Sequence, residues 1–276
     1  MKIEFDDGYS FGKGAFETIK VVDGRPLFLE RHLERLKNSL EFFGISREIE
    51  EEKILEYIKS SEDKNFALKL IVSDKNFILT SRADNYRGDN KRFKLIVAEV
   101  RRNSSSKMIY HKSLSYYENI MEHRLASDKG YDSALFINER GEVCETSFAN
   151  IFFVRDGEIF TPEISSGLLQ GTMRDFIIEN YQVKEEIIYL DDLKNFDEAF
   201  ISNSLMGVRN VSLINDIIFN EEDKTNLIQV DLKKYGFYYF LRSWLRASFF
   251  IGIIYTLIKQ KHSKRWTKYY FVVKLM

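Results

Sequence analysis

The stretch Val143-Cys-Glu-Thr-Ser-Phe-Ala-Asn-Ile-Phe-Phe153 places one carboxylate, Glu145, in mostly apolar surroundings. Its apolar runs predict two short strands, 143–145 and 150–154. A buried, unpaired carboxylate is costly, so Glu145 needs a cationic or protonated partner if it lies inside the protein. Either the residue lies at a surface edge, or its carboxylate keeps a buried ring nitrogen protonated.

Lys112 is a second charge in apolar surroundings, within the stretch Met108-Ile-Tyr-His-Lys-Ser-Leu-Ser-Tyr-Tyr-Glu-Asn119. We predict that this stretch is a strand leading into a helix. A lysine at a strand end can extend its amine to solvent. A partly desolvated lysine instead has a lowered pKa, and its amine can form a Schiff base and carry protons. The residues around Lys112 leave both interpretations open.

Hydrophobic periodicity predicts an α+β chain with domains at 1–100 and 107–232, a linker at 101–106 and a tail at 233–276. In the first domain we predict a hairpin at 15–30, helices at 33–43 and 49–60, and strands at 66–73 and 93–100. In the second we predict the strand carrying Lys112, helices at 116–129 and 171–181, and strands at 133–138, 143–145, 150–154, 158–161 and 198–203.

Composition restricts the class of protein. The chain has 276 residues, a formal net charge of −1 and one cysteine, Cys144. It therefore has no overall basic excess of the kind that favours nucleic-acid binding, and no intramolecular disulfide. The acidic first residues lack the apolar segment of a secretory signal. We expect a cytoplasmic protein.

Three further polar positions are candidates for binding a ligand. Gly171-Thr-Met-Arg174 begins a predicted helix, whose free amides suit a phosphate group. Asn203-Ser-Leu-Met-Gly207 forms a polar turn after a strand, and Arg35 lies on an amphipathic helix. The four histidines have no metal-ligand spacing, and the common dinucleotide, P-loop, hydrolase-elbow and CxxC motifs are absent from the sequence.

From about Gly8 to Val211, these features together resemble the fold-type IV (class IV) enzymes that depend on pyridoxal 5'-phosphate. The matching motifs occur in the family's order: Phe11-Gly-Lys-Gly-Ala-Phe-Glu-Thr18, Leu29-Glu-Arg-His-Leu-Glu-Arg-Leu36, Lys112, and Glu145 with Asn150-Ile-Phe152. The resemblance implies a smaller N-terminal domain, a larger domain with a barrel-like β core, and a homodimer with sites near the subunit interface.

The resemblance also implies roles for individual residues. Lys112 falls on the lysine that forms the Schiff base, and Glu145 on the carboxylate facing the pyridine nitrogen. Tyr117 matches a tyrosine that in several members bonds the cofactor's phenolic oxygen. The remaining matches lie at the phosphate: Arg35, Thr172, Met173 and Ser204.

Two activities of this family are compatible with these residues. Lyases that split aminodeoxychorismate into 4-aminobenzoate and pyruvate resemble the chain in having a threonine at Thr18, where branched-chain aminotransferases typically have glycine. The turn at 203–208 also resembles the lyase version, and Asn203 falls where a substrate contact is expected. The alternative is an aminotransferase for branched-chain or D-amino acids, although the stretch 74–82 lacks the Arg-x-His pair of D-amino-acid transaminases.

The tail differs from the rest of the chain in charge. From Lys233 onward there are ten Lys or Arg and no Asp or Glu, which leaves 31 basic and 42 acidic residues before it. Residues 247–258 are apolar with basic flanks, which is typical of a helix lying on a membrane surface. A misframed end without function, or a module that binds a membrane or a partner and has no catalytic activity, are the other interpretations.

Overall fold

A computed structural model describes residues 2–86 and 91–233, which lie in a compact unit, Met1–Lys234. The structure contains two β-sheets with helices packed on them, which confirms the predicted α+β class. The helices are α1 (Asp7–Phe11), α2 (Leu29–Phe42), α3 (Glu51–Ser60), α4 (Tyr117–Asp128) and α5 (Thr172–Asn180). Residues 223–233 are also helical.

The smaller sheet comes from the N-terminal part of the chain. Its strands are β1 (Ala15–Val22), β2 (Arg25–Pro26), β3 (Phe66–Val72) and β4 (Phe77–Ala83). They pair antiparallel in the order β2-β1-β3-β4. The predicted first strand of the hairpin and both helices of this part are confirmed. The second strand of the hairpin is Arg25–Pro26 and not 27–30, because β1 pairs with these two residues and α2 already begins at Leu29.

The larger sheet is curled into a half-barrel and contains nine strands. They are β5 (Phe93–Arg102), β6 (Ser133–Asn138), β7 (Val143–Thr146), β8 (Asn150–Arg155), β9 (Glu158–Pro162), β10 (Val183–Glu186), β11 (Glu198–Asn203), β12 (Gly207–Ile214) and β13 (Ile217–Ile218). Their order is β10-β9-β8-β11-β12-β5-β6-β7, with β13 paired to β12. Apolar side chains from most of these strands form one buried cluster.

The two faces of the smaller sheet have different surroundings. Successive side chains of a strand point to opposite faces. In β1, Ala15, Ile19 and Val21 belong to the core that also contains residues of α2 and α3. Phe16 and Thr18 consequently lie on the other face, which we call the open face.

Three local predictions are corrected by the structure. The strand at 93–100 was assigned to the first domain, but β5 pairs in parallel with β6 and β12 of the larger sheet, so the two sheets divide before Phe93. Lys112 is not in a strand: it follows a short 3₁₀ turn, Lys107–Tyr110, and precedes α4. Helix α1 and strands β4, β10, β12 and β13 were not predicted.

The described part of the chain contains no helix that is long and apolar enough to cross a membrane. The predicted membrane-surface helix at 247–258, like the tail from residue 234 onward, lies outside the described residues.

Candidate active site

The glycine-rich stretch before β1 fixes the backbone of Lys112. Phe16 N donates to the Lys112 carbonyl at 2.9 Å, and Leu114 N donates to the Gly14 carbonyl at 3.0 Å. A Cβ added to Gly14 would lie 2.5 Å from the Val72 carbonyl oxygen and 2.8 Å from Leu114 Cδ1. Only glycine therefore lets the segment around Lys112 lie against β1 without a shift of the backbone.

The amine of Lys112 lies in an aromatic corner. Its Nζ is 4.5 Å from the centroid of the Phe16 ring and 5.1 Å from that of Tyr116. Burial, together with the nearby Arg35, lowers the pKa of Lys112 from 10.5 to about 8. An amine with this pKa is neutral, and hence nucleophilic, in a larger fraction of molecules at neutral pH than an ordinary lysine.

This lowered pKa predicts the pH dependence of labelling at Lys112. In the protein without cofactor, we expect the rate of acetylation by trace acetic anhydride to be half-maximal near pH 8, because only the neutral amine reacts. Lysines with an ordinary pKa, near 10.4, serve as internal references. Peptide mass spectrometry measures all of them at once. A Lys112 profile that coincides with the reference lysines would contradict the assignment.

Glu145 is buried on β7, with 8% of its surface exposed. Its carboxylate accepts long contacts from Leu169 N at 3.3 Å, Asn150 Nδ2 at 3.5 Å and Arg102 Nη2 at 3.5 Å. Burial raises the pKa of Glu145 to about 7, although Arg102 and the Leu169 amide act to lower it. The described residues thus compensate its negative charge incompletely, and a cationic group beside it would be stabilised.

Asn150 connects Glu145 to the loop before α5. Its Nδ2 donates to the Leu169 carbonyl at 2.8 Å as well as to Glu145. A Cβ added to Gly171 would lie 2.1 Å from Asn150 Oδ1, so the close approach of this loop requires glycine. Asn150 therefore follows Glu145 in the sequence motif because its side chain links this carboxylate to the loop before α5.

The N-terminus of α5 is suited to an anion. Gly171 is its N-cap residue, and no side chain caps the helix. Thr172 and Met173 are buried in its first turn, where backbone amides lack acceptors within the helix. Arg35 Nη1 donates to the Gln170 carbonyl at 3.1 Å, which places the guanidinium beside this loop.

The turn at 203–207 lies against β1. Ser204 Oγ donates to the Thr18 carbonyl at 2.9 Å. Asn203, which was predicted to contact substrate, directs its side chain within the protein: Oδ1 accepts from Leu205 N and Met206 N, and Nδ2 donates to the Phe148 carbonyl. The structure therefore shows a turn-stabilising role for Asn203, and its substrate contact stays a prediction.

The structure does not bring Tyr117 to the site. Its side chain is 68% exposed at the start of α4. The neighbouring Tyr116 is buried against Phe16 with ring centroids 5.2 Å apart, and its hydroxyl donates to the Ser147 carbonyl at 2.9 Å. Burial and the nearby Glu145 raise the pKa of Tyr116 strongly. Tyr116 is therefore the tyrosine that lies beside Lys112.

Two cations on the open face were missed by the sequence predictions. Lys69 pairs in register with Thr18, and its Nζ lies 4.6 Å from the Phe16 centroid, so it shares this ring with Lys112. Arg82 lies on the next strand, and partial burial and Arg82 together lower the pKa of Lys69. Within residues 2–86 and 91–233, neither cation has a carboxylate partner.

These residues fit pyridoxal phosphate, whose reactive parts are an aldehyde, a pyridine nitrogen and a phosphate. Lys112 offers a partly neutral amine, and Glu145 a carboxylate that lacks full compensation. Arg35 and the start of α5 offer donors for the phosphate. The pKa of Lys112 responds to both Arg35 and Glu145, so the three groups lie within electrostatic range of one another.

Comparison with known proteins identifies the family of the chain. The family model "Amino-transferase class IV" matches residues 14–214. An aminodeoxychorismate lyase of Bacillus subtilis (strain 168) is 27% identical, covering 83% of this chain and 88% of that protein. A "Probable branched-chain-amino-acid aminotransferase" of Rickettsia bellii is also 27% identical, covering 81% and 87%. The 4-amino-4-deoxychorismate lyase of Pseudomonas aeruginosa shares the fold, with a TM-score of 0.76, 21% identity, and 85% and 96% of the two chains covered.

Proposed function

The chain belongs to the class IV aminotransferase family, and we propose that within it this protein is a 4-amino-4-deoxychorismate lyase that releases 4-aminobenzoate and pyruvate. The observation that supports this choice is the pair of cations, Lys69 and Arg82, on the open face beside Thr18. Overall identity does not distinguish the activities, because the lyase and aminotransferase relatives are both 27% identical to the chain.

The substrate's charge explains why these cations matter. Aminodeoxychorismate carries two carboxylates, one on the ring and one on the enolpyruvyl group, whereas a branched-chain amino acid carries one carboxylate and an apolar side chain. Lysine and arginine form strong charge-assisted hydrogen bonds with carboxylates. Two such cations beside the site, without carboxylate partners among the described residues, favour a substrate with two carboxylates over a branched-chain amino acid. Because 2-oxoglutarate, the second substrate of an aminotransferase, is also a dianion, the threonine at Thr18 adds the remaining support for the lyase.

The chain's own residues supply the proton transfers. When bound, pyridoxal phosphate supplies an aldehyde that takes the substrate amine and a ring that accepts electrons. Lys112, released as a free amine, removes the proton from the ring carbon next to the amine nitrogen. The carbon–oxygen bond to the enolpyruvyl group breaks as the ring becomes aromatic. Thr18 would donate a proton to the departing enolpyruvate, which leaves as pyruvate, and would recover a proton from the protonated Lys112 amine. Lys112 would then again be a neutral amine, as release of 4-aminobenzoate requires.

Glu145, Arg35 and Tyr116 would position the cofactor. Glu145 holds a proton at the pyridine nitrogen, which makes the ring a better electron acceptor. Arg35 and the amides of Thr172 and Met173 would hold the phosphate. Ser204 would join them by turning its hydroxyl proton from the Thr18 carbonyl to the phosphate. A second function, amino-acid transamination, would use the same cofactor residues and is favoured by the Rickettsia bellii relative.

Product analysis with purified protein and pyridoxal phosphate tests the proposal. We expect 4-aminobenzoate and pyruvate to form in equal amounts from aminodeoxychorismate. We also expect Lys69→Met to raise KM for this substrate by about tenfold or more with a smaller change in kcat, since it removes a charge contact to bound substrate. The matched control is Lys75→Met. Lys75 is an exposed lysine in the turn between β3, which carries Lys69, and β4, which carries Arg82.

Two results would contradict the lyase. The first is no pyruvate from aminodeoxychorismate together with 2-oxoglutarate-dependent consumption of a branched-chain or D-amino acid, which would establish the aminotransferase. The second is equal kinetic behaviour of the Lys69→Met and Lys75→Met variants, which would remove the observation on which the substrate choice depends.

A further inference from the structure

The guanidinium of Arg35 binds a buried carboxylate on β1. Glu17 is fully buried on the face of β1 that packs against α2. Arg35 Nε donates to Glu17 Oε1 at 2.7 Å, and Arg35 Nη2 donates to Glu17 Oε2 at 2.6 Å. His32, one turn earlier on α2, contacts Glu17 Oε2 through Nδ1 at 2.6 Å. The carboxylate thus binds both side chains at once.

The charges of this cluster follow from its contacts. Burial alone would raise the pKa of Glu17, but Arg35 and His32 outweigh burial and lower it to about 2. Burial lowers the pKa of His32, so the imidazole is neutral at neutral pH. An ionised carboxylate only accepts hydrogen bonds, so His32 Nδ1 carries the proton and donates it. Glu17 is consequently a fixed anion whose strongest partner is the guanidinium of Arg35.

These two hydrogen bonds fix the orientation of the guanidinium. The arginine fork is planar and rigid, so occupying Nε and Nη2 determines where Nη1 points. Nη1 lies at the loop before α5, where it donates to the Gln170 carbonyl. The only edge of Arg35 that remains for a ligand is therefore the edge beside the anion site at the start of α5.

We infer that Glu17 is a positioning residue for the cofactor's phosphate: by binding Nε and Nη2 of Arg35 it aims Nη1 at the phosphate site. The inference depends on the binding of pyridoxal phosphate and is independent of whether the enzyme is a lyase or an aminotransferase. Glu17 does not reach the ligand itself. If the pair only stabilised the packing of α2 on β1, its loss would affect all ligands of the site equally.

The chain offers a matched control pair on the same helices. Arg31, one turn before Arg35 on α2, donates through Nη1 and Nη2 to both carboxylate oxygens of Glu179 on α5, at 2.7 and 2.5 Å. This pair is also bidentate, but it uses the two terminal nitrogens of the guanidinium and is solvent-accessible, with 25% and 54% of the side chains exposed. It joins the helices without directing a guanidinium at the phosphate site.

The experiment compares two ligands that differ only in the phosphate. Pyridoxal phosphate and pyridoxal are titrated, by absorbance, into cofactor-free wild type, Glu17→Gln and Glu179→Gln. We expect Glu17→Gln to weaken the binding of pyridoxal phosphate by about tenfold or more, because the buried ion pair that fixes Arg35 is lost. We expect pyridoxal affinity to stay unchanged, and Glu179→Gln to leave both affinities unchanged.

Other outcomes have separate meanings. If Glu17→Gln weakened the binding of both ligands equally, or of neither, the inference would be overturned. Failure of the wild type to bind pyridoxal phosphate would overturn the cofactor assignment instead. Should Glu17→Gln not fold, Glu17→Asp keeps the buried charge but withdraws the carboxylate by one methylene, and the same selective loss is expected. Thermal unfolding of each protein without ligand reports on the fold.

Discussion

Replacing Lys112 with alanine is expected to abolish covalent attachment of pyridoxal phosphate and to lower kcat for 4-aminobenzoate formation by at least about 10³-fold. The amine has two roles in the proposed reaction, as nucleophile towards the cofactor and as base towards the substrate, and proton transfer alone contributes about 10²–10⁴-fold in enzymes. The surroundings of Nζ support both roles, since its pKa is lowered to about 8.

Attachment and activity are measured separately. Borohydride treatment of the loaded protein, followed by peptide mapping, locates the label, and product formation gives kcat. Lys107→Ala, an exposed lysine in the 3₁₀ turn before Lys112, is the control and is expected to match the wild type. Lys69 is the competing amine, because it lies over the same Phe16 ring. A full label on Lys69 in the Lys112→Ala protein, with activity retained, would show that the reactive lysine was wrongly assigned.

Much of the fold follows from local patterns in the sequence. The strands 133–138 and 198–203 have the predicted bounds, and α4 is followed by Gly130 in the left-handed conformation, as the predicted helix end requires. These elements have clear periodicity or glycine stops. The family resemblance added the order of the site residues, which no single motif establishes.

Long-range contacts explain what the sequence did not predict. The segment around Lys112 was predicted as a strand, but its extended conformation comes from hydrogen bonds to Gly14 and Phe16, which are distant in sequence. Strand β4 escaped prediction because residues 77–79 are all apolar, which hides the alternation of a strand. Since β4 carries Arg82, the cation on the open face was missed with it.

Tyr116 and Tyr117 show that an error of one residue in motif spacing selects a side chain that points away from the site. Successive residues of an α-helix are rotated by about 100° around its axis, so adjacent side chains point in different directions. The motif spacing selected Tyr117, whereas the structure starts α4 at Tyr117 and leaves Tyr116 before it, facing Phe16. A tyrosine pair at a helix start cannot be resolved by spacing alone.

Glu145→Gln is expected to have the second largest effect, a loss in kcat on the order of 10²–10³-fold, which is typical when one buried electrostatic partner of the reacting group is removed. Glutamine keeps the size and the contacts to Leu169 but cannot hold a proton at the pyridine nitrogen. In the wild type, Arg102 at 3.5 Å only partly compensates the carboxylate, so its charge is available to the ring. We expect pyridoxal phosphate to remain attached to Lys112 in this variant.

Glu118→Gln is the matched control for this prediction. Glu118 also contacts Arg102, through Nη1 at 3.2 Å, but its side chain is half exposed on α4. Removing either carboxylate leaves Arg102 with one fewer anionic partner, yet only Glu145 faces the proposed cofactor site. The two variants are compared in kcat and in the absorbance spectrum of the bound cofactor across pH. Equal losses in both would assign the effect to Arg102, and an unchanged kcat in Glu145→Gln would exclude the carboxylate from the reaction.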